Sequence, residues 1–173
     1  MALAPPLDAS PASVRSALEP LRNDFSVALW APGNAFAVGA VIRIAHSFLA
    51  REVFLVGREP FYEKATMGMH KYETIVTLSN ESELLRATKG RPLWAVEKDQ
   101  SRRSIWDSFS FPRGVVFVFG SERFGIPSAV LEIADEIVGV PIFGVNKSLP
   151  LAVATGIVMN EWARRHYVAG RIV

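Results

Sequence analysis

Apolar positions along the chain fall into two alternating rhythms. Short runs rich in β-branched and aromatic residues occur at Phe25–Trp30, Glu52–Val56, Thr74–Leu78, Pro92–Val96, Gly114–Phe119 and Glu136–Pro141, and each predicts a strand. Between them, apolar residues at helical spacing predict helices over Ala35–Leu49, Pro127–Ala134 and Leu151–Tyr167, with a shorter one over 10–19 beginning near Ser10 or Ser13. Asn80, with Glu83 three residues on, makes a capping-box start for another short helix through Thr88. Strands separated by helices predict an α/β fold, a mainly parallel sheet with helices on both faces. A polar, arginine-bearing segment without a predicted element separates Pro92–Val96 from Gly114–Phe119, and residues 1–9, rich in Pro and Ala, read as loose. No internal repeat, low-complexity tract or linker divides the chain.

At 173 residues, half of them hydrophobic, the chain is long enough to bury a full core as one domain. The expected division is an N-terminal extension over 1–24 and a single domain over 25–173. No apolar run approaches the roughly 18–20 residues of a membrane span. Met1–Asp8 carries no positive n-region and no sustained apolar core, so it does not read as a signal peptide. With no cysteine there is neither a disulfide framework nor a thiolate metal site, and His46, His70 and His166 lack ligand spacing. These features predict a cytoplasmic, metal-free protein with no membrane contact. The net charge of +2 and a pI of about 9.1 are compatible with an RNA partner without requiring one. Arg102-Arg103 and Arg164-Arg165 are the only adjacent basic pairs, and for Arg102-Arg103 a solvated face is the simpler reading.

Candidate chemistry concentrates in two strand–loop–helix units. Phe117-Val-Phe-Gly-Ser-Glu-Arg-Phe-Gly-Ile-Pro127 runs an apolar strand into a glycine-bracketed turn and stops at a proline suited to begin a helix. Val138-Gly-Val-Pro-Ile-Phe-Gly-Val-Asn-Lys-Ser-Leu-Pro150 repeats the plan before the closing helix. Glycine-bearing loops at strand ends read as a ligand cradle. Gly120 removes a Cβ where the backbone must approach a ligand or another loop. Glu122 reads either as plain turn chemistry or as a carboxylate holding loop amides. Arg43, amid apolar helical residues, reads either as an edge residue with its head in water or as a cation awaiting an anionic partner. A Gly-x-Gly-x-x-Gly turn and a P-loop are both lacking, which argues against a doubly wound binder of some other nucleotide.

Taken in order over about residues 25–167, these segments resemble the three signature motifs of the SpoU/TrmH-type RNA 2′-O-ribose methyltransferases of the SPOUT superfamily. Pro32–Phe48 is similar to the first motif, with Arg43 at its arginine and Ala37 where the family has asparagine. Phe119–Gly125 is similar to the second, and Val140–Arg164 to the third, with Pro150 in place of the asparagine after Ser148-Leu149. The resemblance implies a C-terminal trefoil knot, S-adenosylmethionine held in a bent form by the knot loops, and a homodimer. Catalysis would fall to Arg43, which grips the neighbouring phosphate and stabilises developing oxyanion charge, to Glu122, which shapes its loop, and to Ser148. The cofactor would be bound around Gly120, Val140, Ser148 and Leu149, with Leu93–Val96 as one wall. Arg43 and Arg164 would contact RNA, the latter near the dimer seam, and the large apolar residues around Met159–Trp162 would add dimer contact area. The implied function is S-adenosylmethionine-dependent methylation of tRNA or rRNA at a ribose 2′-hydroxyl. Ala37 and Pro150 leave open a non-catalytic knotted dimer that binds the cofactor, RNA or both, and Asn34 and Asn146 are the amides available to replace the two asparagines.

Overall fold

The computed structural model describes residues 9–57, 60–107, 109–146 and 148–167. Apart from Ala9, the segment expected to be loose at the start lies outside them, as do residues 168–173. Seven strands, β1 (Ser26–Trp30), β2 (Val53–Val56), β3 (Ile75–Leu78), β4 (Leu93–Val96), β5 (Arg103–Ser104), β6 (Val116–Phe119) and β7 (Glu136–Gly139), form one sheet. Their order is β3-β2-β1-β6-β4-β7-β5, and each of these strand pairs runs parallel. Helices α1 (Pro11–Leu18), α2 (Ala35–Ser47), α3 (Glu81–Ala87), α4 (Ser128–Ile133) and α5 (Leu151–Arg165) connect and flank the strands.

Alternate side chains of a strand point to opposite faces, so a sheet covered twice needs apolar residues at every position. Val27, Leu29, Val53, Leu55, Phe117, Phe119 and Val138 face one core, which α2 and α5 close with Val38, Ile42, Val158 and Met159. Ala28, Phe54, Val56, Val116, Val118 and Ile137 face the other, closed by Leu84 of α3 and by Val130 and Leu131 of α4. This double cover is why the strands read as near-continuous apolar runs.

Met159 and Trp162 are 0% and 1% exposed within a single chain, so the expectation that they add dimer contact area is corrected. The apolar side of α5 is the side that covers the sheet. Trp162 lies 4.7 Å from the Phe25 ring, and its indole N–H donates to the Pro112 carbonyl at 3.2 Å. Val153, Asn160 and Arg164 are the exposed positions of α5.

The segment before β1 is tied into the domain. Ser10 caps α1 by accepting from the Ser13 N–H at 3.2 Å, and α1 buries Val14 and Leu18. Arg22 then reaches inward to the Tyr72 carbonyl at 2.6 Å, the Ala50 carbonyl at 2.8 Å and the Glu73 Oε2 at 2.8 Å. The other Glu73 oxygen meets His46 Nδ1 of α2 at 2.8 Å. A second cation, the half-buried Arg91, joins β1 to the loop before β6 through Glu52 Oε2 at 2.9 Å, Ser26 Oγ at 2.7 Å and the Gly114 carbonyl at 2.8 Å. Burial pushes the Arg91 guanidinium below its ordinary value, against the pull of Glu52. Among the described residues, no helix is long and apolar enough to cross a membrane.

Candidate active site

Strand β6 ends in a loop that folds back on itself. The Gly125 N–H donates to the Ser121 carbonyl at 2.9 Å, and the Phe124 N–H donates to Ser121 Oγ at 3.0 Å. A Cβ on Gly120 would land on the Gly125 carbonyl and the Ile126 nitrogen. Of the two reasons for a glycine there, the approach of another piece of backbone is the one observed. The loop is also held from outside: Glu122 Oε1 accepts from the Leu151 N–H at 3.0 Å. Leu151 opens α5 after Pro150, which offers no capping side chain. The first N–H groups of a helix have no partner within it, and the helix dipole favours negative charge at that end. Glu122 therefore holds an amide outside its own loop, joining the second motif to the third.

Between this loop and the carboxyl ends of β4 and β7 lies a cleft of about 440 Å³. Gly120, Glu122, Val140, Ser148 and Leu149 all line it. Of Leu93–Val96 only Val96 does, because Leu93, Trp94 and Ala95 are buried in the sheet. Phe119, Ile126, Ile142 and Leu151 supply further apolar wall, and Glu97, Asp99 and Glu122 supply carboxylates against Lys98 and Arg123. Glu97, at the end of β4, fixes one carboxylate oxygen on the Lys98 N–H at 2.9 Å. Apolar walls with convergent acidic groups, at the carboxyl edge of a parallel sheet, suit a ligand with a flat apolar part and a cationic part. An adenosine bearing a sulfonium and an ammonium is such a ligand. Glu97 was not singled out in the sequence, where it reads as the first residue of a polar stretch.

A second groove of about 710 Å³ adjoins the cleft and shares Ser121–Phe124 with it. Its other wall is the turn Ala31–Phe36 with Tyr62. Here Asn34 is the N-cap of α2, its Oδ1 accepting from the Phe36 N–H at 3.1 Å and the Ala37 N–H at 3.2 Å. That cap engages the acceptor of Asn34 and leaves its amide nitrogen. Asn146 accepts from the Ser148 N–H at 3.3 Å.

Both expected RNA-contacting residues, Arg43 and Arg164, stand apart from the cleft. Arg43 is exposed on α2, lines neither cavity and has no side-chain partner among the described residues. Nine residues of helix after Asn34 put it about 14 Å further along the axis at 1.5 Å per residue. Arg164 pairs on its own helix with Glu161, through Nε at 2.9 Å and Nη2 at 2.7 Å. Glu161 also accepts from Arg165 Nε at 2.6 Å. The Arg164 hydrogen bond foremost, with Arg165 adding to it, holds the Glu161 carboxyl below its ordinary value against the opposing effect of burial. Arg103 reaches Glu136 at 3.2 Å and lies 5.1 Å from the Phe109 ring centre, while Arg102 is exposed. Among the described residues, no cluster of His, Asp or Glu suits a metal ion.

Three comparisons bear on this geometry. A family model described as the SpoU rRNA Methylase family matches residues 24–160. The chain is 31% identical over 109 residues to the tRNA (guanosine(18)-2′-O)-methyltransferase of Aquifex aeolicus strain VF5, covering 62% of this chain and 52% of that one. It spans about half the length of that relative and of the 23S rRNA (guanosine-2′-O-)-methyltransferases it also matches. Among solved structures, the TrmH/SpoU tRNA-modifying enzyme of A. aeolicus superposes with a TM-score of 0.79 at 25% identity, over 90% of this chain and 82% of that one. The AdoMet-bound rRNA methyltransferase of Sinorhizobium meliloti gives 0.72 at 28% identity, over 90% of this chain and 61% of that one. With the second and third motifs lining one cleft, the first opening the groove beside it, and the family model covering residues 24–160, the chain belongs to the SpoU rRNA Methylase family.

Proposed function

We propose that this chain is an S-adenosylmethionine-dependent ribose 2′-O-methyltransferase of tRNA or rRNA. The observation that carries the reading is the cleft where Gly120, Val140, Ser148 and Leu149 meet, clamped by the Glu122–Leu151 hydrogen bond. Bound there, S-adenosylmethionine would supply an electrophilic methyl group on sulfur. The apolar lining around Val140, Ile142 and Leu149 would hold the adenosine, and Glu97 or Asp99 would face the cationic end. Ser148, at the rim, would orient the substrate or the cofactor. Holding the reacting atoms in line supplies several kcal/mol of such a barrier.

Arg43 would act on the substrate. A guanidinium keeps its proton and is a poor base, so the task of Arg43 is to grip the phosphate beside the target ribose and stabilise negative charge developing on the 2′-oxygen. Because Arg43 lies outside its own chain's cleft, a second subunit is the natural route by which it reaches one, and a homodimer is part of the proposal. Arg43 on α2 and Val153 and Asn160 on α5 are exposed and available for that contact. A trefoil threading of the C-terminal segment also belongs to this reading. It is supported by β7 lying between β4 and β5, two strands earlier in the chain.

The alternative of a non-catalytic binder rests on Ala37 and Pro150 and is not favoured, since the relatives above carry the names of methyltransferases. Titration calorimetry with S-adenosylhomocysteine should give one site per subunit, and light scattering should give twice the 19.0 kDa chain mass. Absence of both heat and thermal stabilisation across a wide ligand range would remove the reading, since a ligand of the native state must stabilise it.

A further inference from the structure

The second groove carries three large aromatic residues that the proposed chemistry leaves unused. Phe36, Tyr62 and Phe124 are 63%, 45% and 78% exposed, and all three line it. Single exposed aromatics are ordinary, but several gathered in one concave site mark a binding surface. Their placement is fixed by the backbone. Phe36 sits in the first turn of α2, its N–H bound to the Asn34 cap. Tyr62 is tied beside it through its N–H to the Ala35 carbonyl at 2.8 Å. The two rings stack with centroids 6.3 Å apart and planes 28° from parallel. Across the groove, Phe124 projects from the β6 loop, whose closure through Ser121 and Gly125 holds it there. The Arg123 guanidinium lies 5.0 Å from the centre of its ring.

We propose that this groove is a stacking site for one unpaired RNA base, that of the nucleotide whose ribose enters the neighbouring cleft. The inference rests on the methyltransferase reading for the identity of the nucleotide, and on the groove itself for the stacking. Aromatic faces accept any base because every base presents a π-face, and a guanidinium beside them matches the phosphate of the same strand. The Asn34 amide nitrogen, free of the cap that engages its oxygen, is a donor at the same wall. The two cavities share Ser121–Phe124, so a base in one and its ribose in the other need only the length of a single nucleotide. Duplex RNA would not enter, since its bases are stacked on one another and its major groove is too narrow for side chains to read them.

The test uses the whole chain with a fluorescein-labelled, mixed-sequence single-stranded RNA dodecamer and the corresponding duplex. Anisotropy should show the single strand bound more tightly than the duplex. Phe36→Leu and Phe124→Leu keep apolar bulk but remove the aromatic face. Each should weaken single-strand binding roughly tenfold while leaving duplex binding and mass by light scattering unchanged, and Phe36→Leu, which lies outside the cofactor cleft, should also leave S-adenosylhomocysteine affinity unchanged. Arg123→Ala should lower the slope of log affinity against log salt by about one. Equal binding of strand and duplex by wild type, or full single-strand binding by both leucine variants, overturns the proposal. Loss of the dimer in the leucine variants, with RNA binding falling only in parallel, overturns it in favour of a contact between two copies of this chain. Failure of wild type to bind S-adenosylhomocysteine would count against the methyltransferase reading alone, because the strand-against-duplex comparison needs no cofactor.

Discussion

Glu122 Oε1 accepts from the backbone N–H of Leu151 at 3.0 Å, so a residue of the β6 loop serves as the cap of a helix that begins 29 residues later. Pro150 makes this necessary. It sets the entry to α5 without a side chain that can cap, and its own carbonyl accepts from the Val153 and Ala154 N–H groups. One carboxylate thus organises two sides of the cleft together.

Replacing Glu122 should therefore disturb both the helix and the cleft. Glu122→Ala should cost about 0.5–2 kcal/mol, the usual range for a lost helix cap, which is roughly 1–8 °C in Tm for a chain of this size. Affinity for S-adenosylhomocysteine should fall with it. Glu122→Gln keeps the acceptor and should recover most of both losses. Thermal melts and calorimetry on the two variants check this, and wild-type affinity in Glu122→Ala would show that the bond does not shape the cleft.

Arg22 and Glu73 should behave as a buried ion pair whose halves depend on each other. Their side chains are 4% and 0% exposed, at 2.8 Å. Removing Arg22 leaves the buried Glu73 carboxylate with His46 as its remaining partner, and breaking a buried pair typically costs about 3–5 kcal/mol. Arg22→Ala should lower Tm by roughly 6–20 °C at 2–4 °C per kcal/mol. Because Arg22 binds the Ala50 and Tyr72 carbonyls as well, Arg22→Lys should rescue only in part. An unchanged melting curve for Arg22→Ala would mean that the segment before β1 does not anchor to the domain.

Glu161 predicts a dependence of stability on pH. Its folded-state pKa lies below the ordinary 4.5. Its contribution is thus present above 4.5 and is lost as pH falls through the depressed folded value. Much of Arg164 is exposed, so screening weakens its share. Glu161→Gln should be less stable than wild type at pH 7, and the gap should narrow on acidification to pH 3. Denaturant melts at the two pH values measure it, and a constant gap would contradict the assignment.

The strands and the major helices were legible because burial on both faces of the sheet forces near-continuous apolar runs, as in Val116–Phe119, and burial on one face of α2 forces a helical period. The two-residue strand β5 was not legible, since Arg103 and Ser104 lie at the sheet edge and bury little. The turns at Glu63–Thr66 and Met69–Lys71 have no apolar period to show, although a Cβ on Gly39 would fall 2.6 Å from the Tyr62 carbonyl and so records their approach to α2. At the site, Gly120, Glu122, Val140, Ser148 and Leu149, singled out from the motifs, line one cleft. The sequence did not show that Glu122 reaches Leu151, because a helix-capping partner this distant leaves no local spacing. Nor did it separate the apolar residues of α5 that cover the sheet, Met159 and Trp162, from those free to meet a partner. Apolar content marks both kinds, and only the packing of α5 on the sheet tells them apart.

Methyl transfer to a ribose hydroxyl is followed most directly through the methyl group itself. Wild type and Arg43→Ala would be incubated with methyl-labelled S-adenosylmethionine and total tRNA and rRNA, and the RNA digested to nucleosides for mass spectrometry. Wild type should place label in a 2′-O-methylated nucleoside. Arg43→Ala should place at least a hundredfold less, the scale of a lost charge-stabilising donor, at nearly unchanged S-adenosylhomocysteine affinity. Label on a base rather than a ribose, or no label from wild type despite tight cofactor binding, would contradict ribose methylation by this chain.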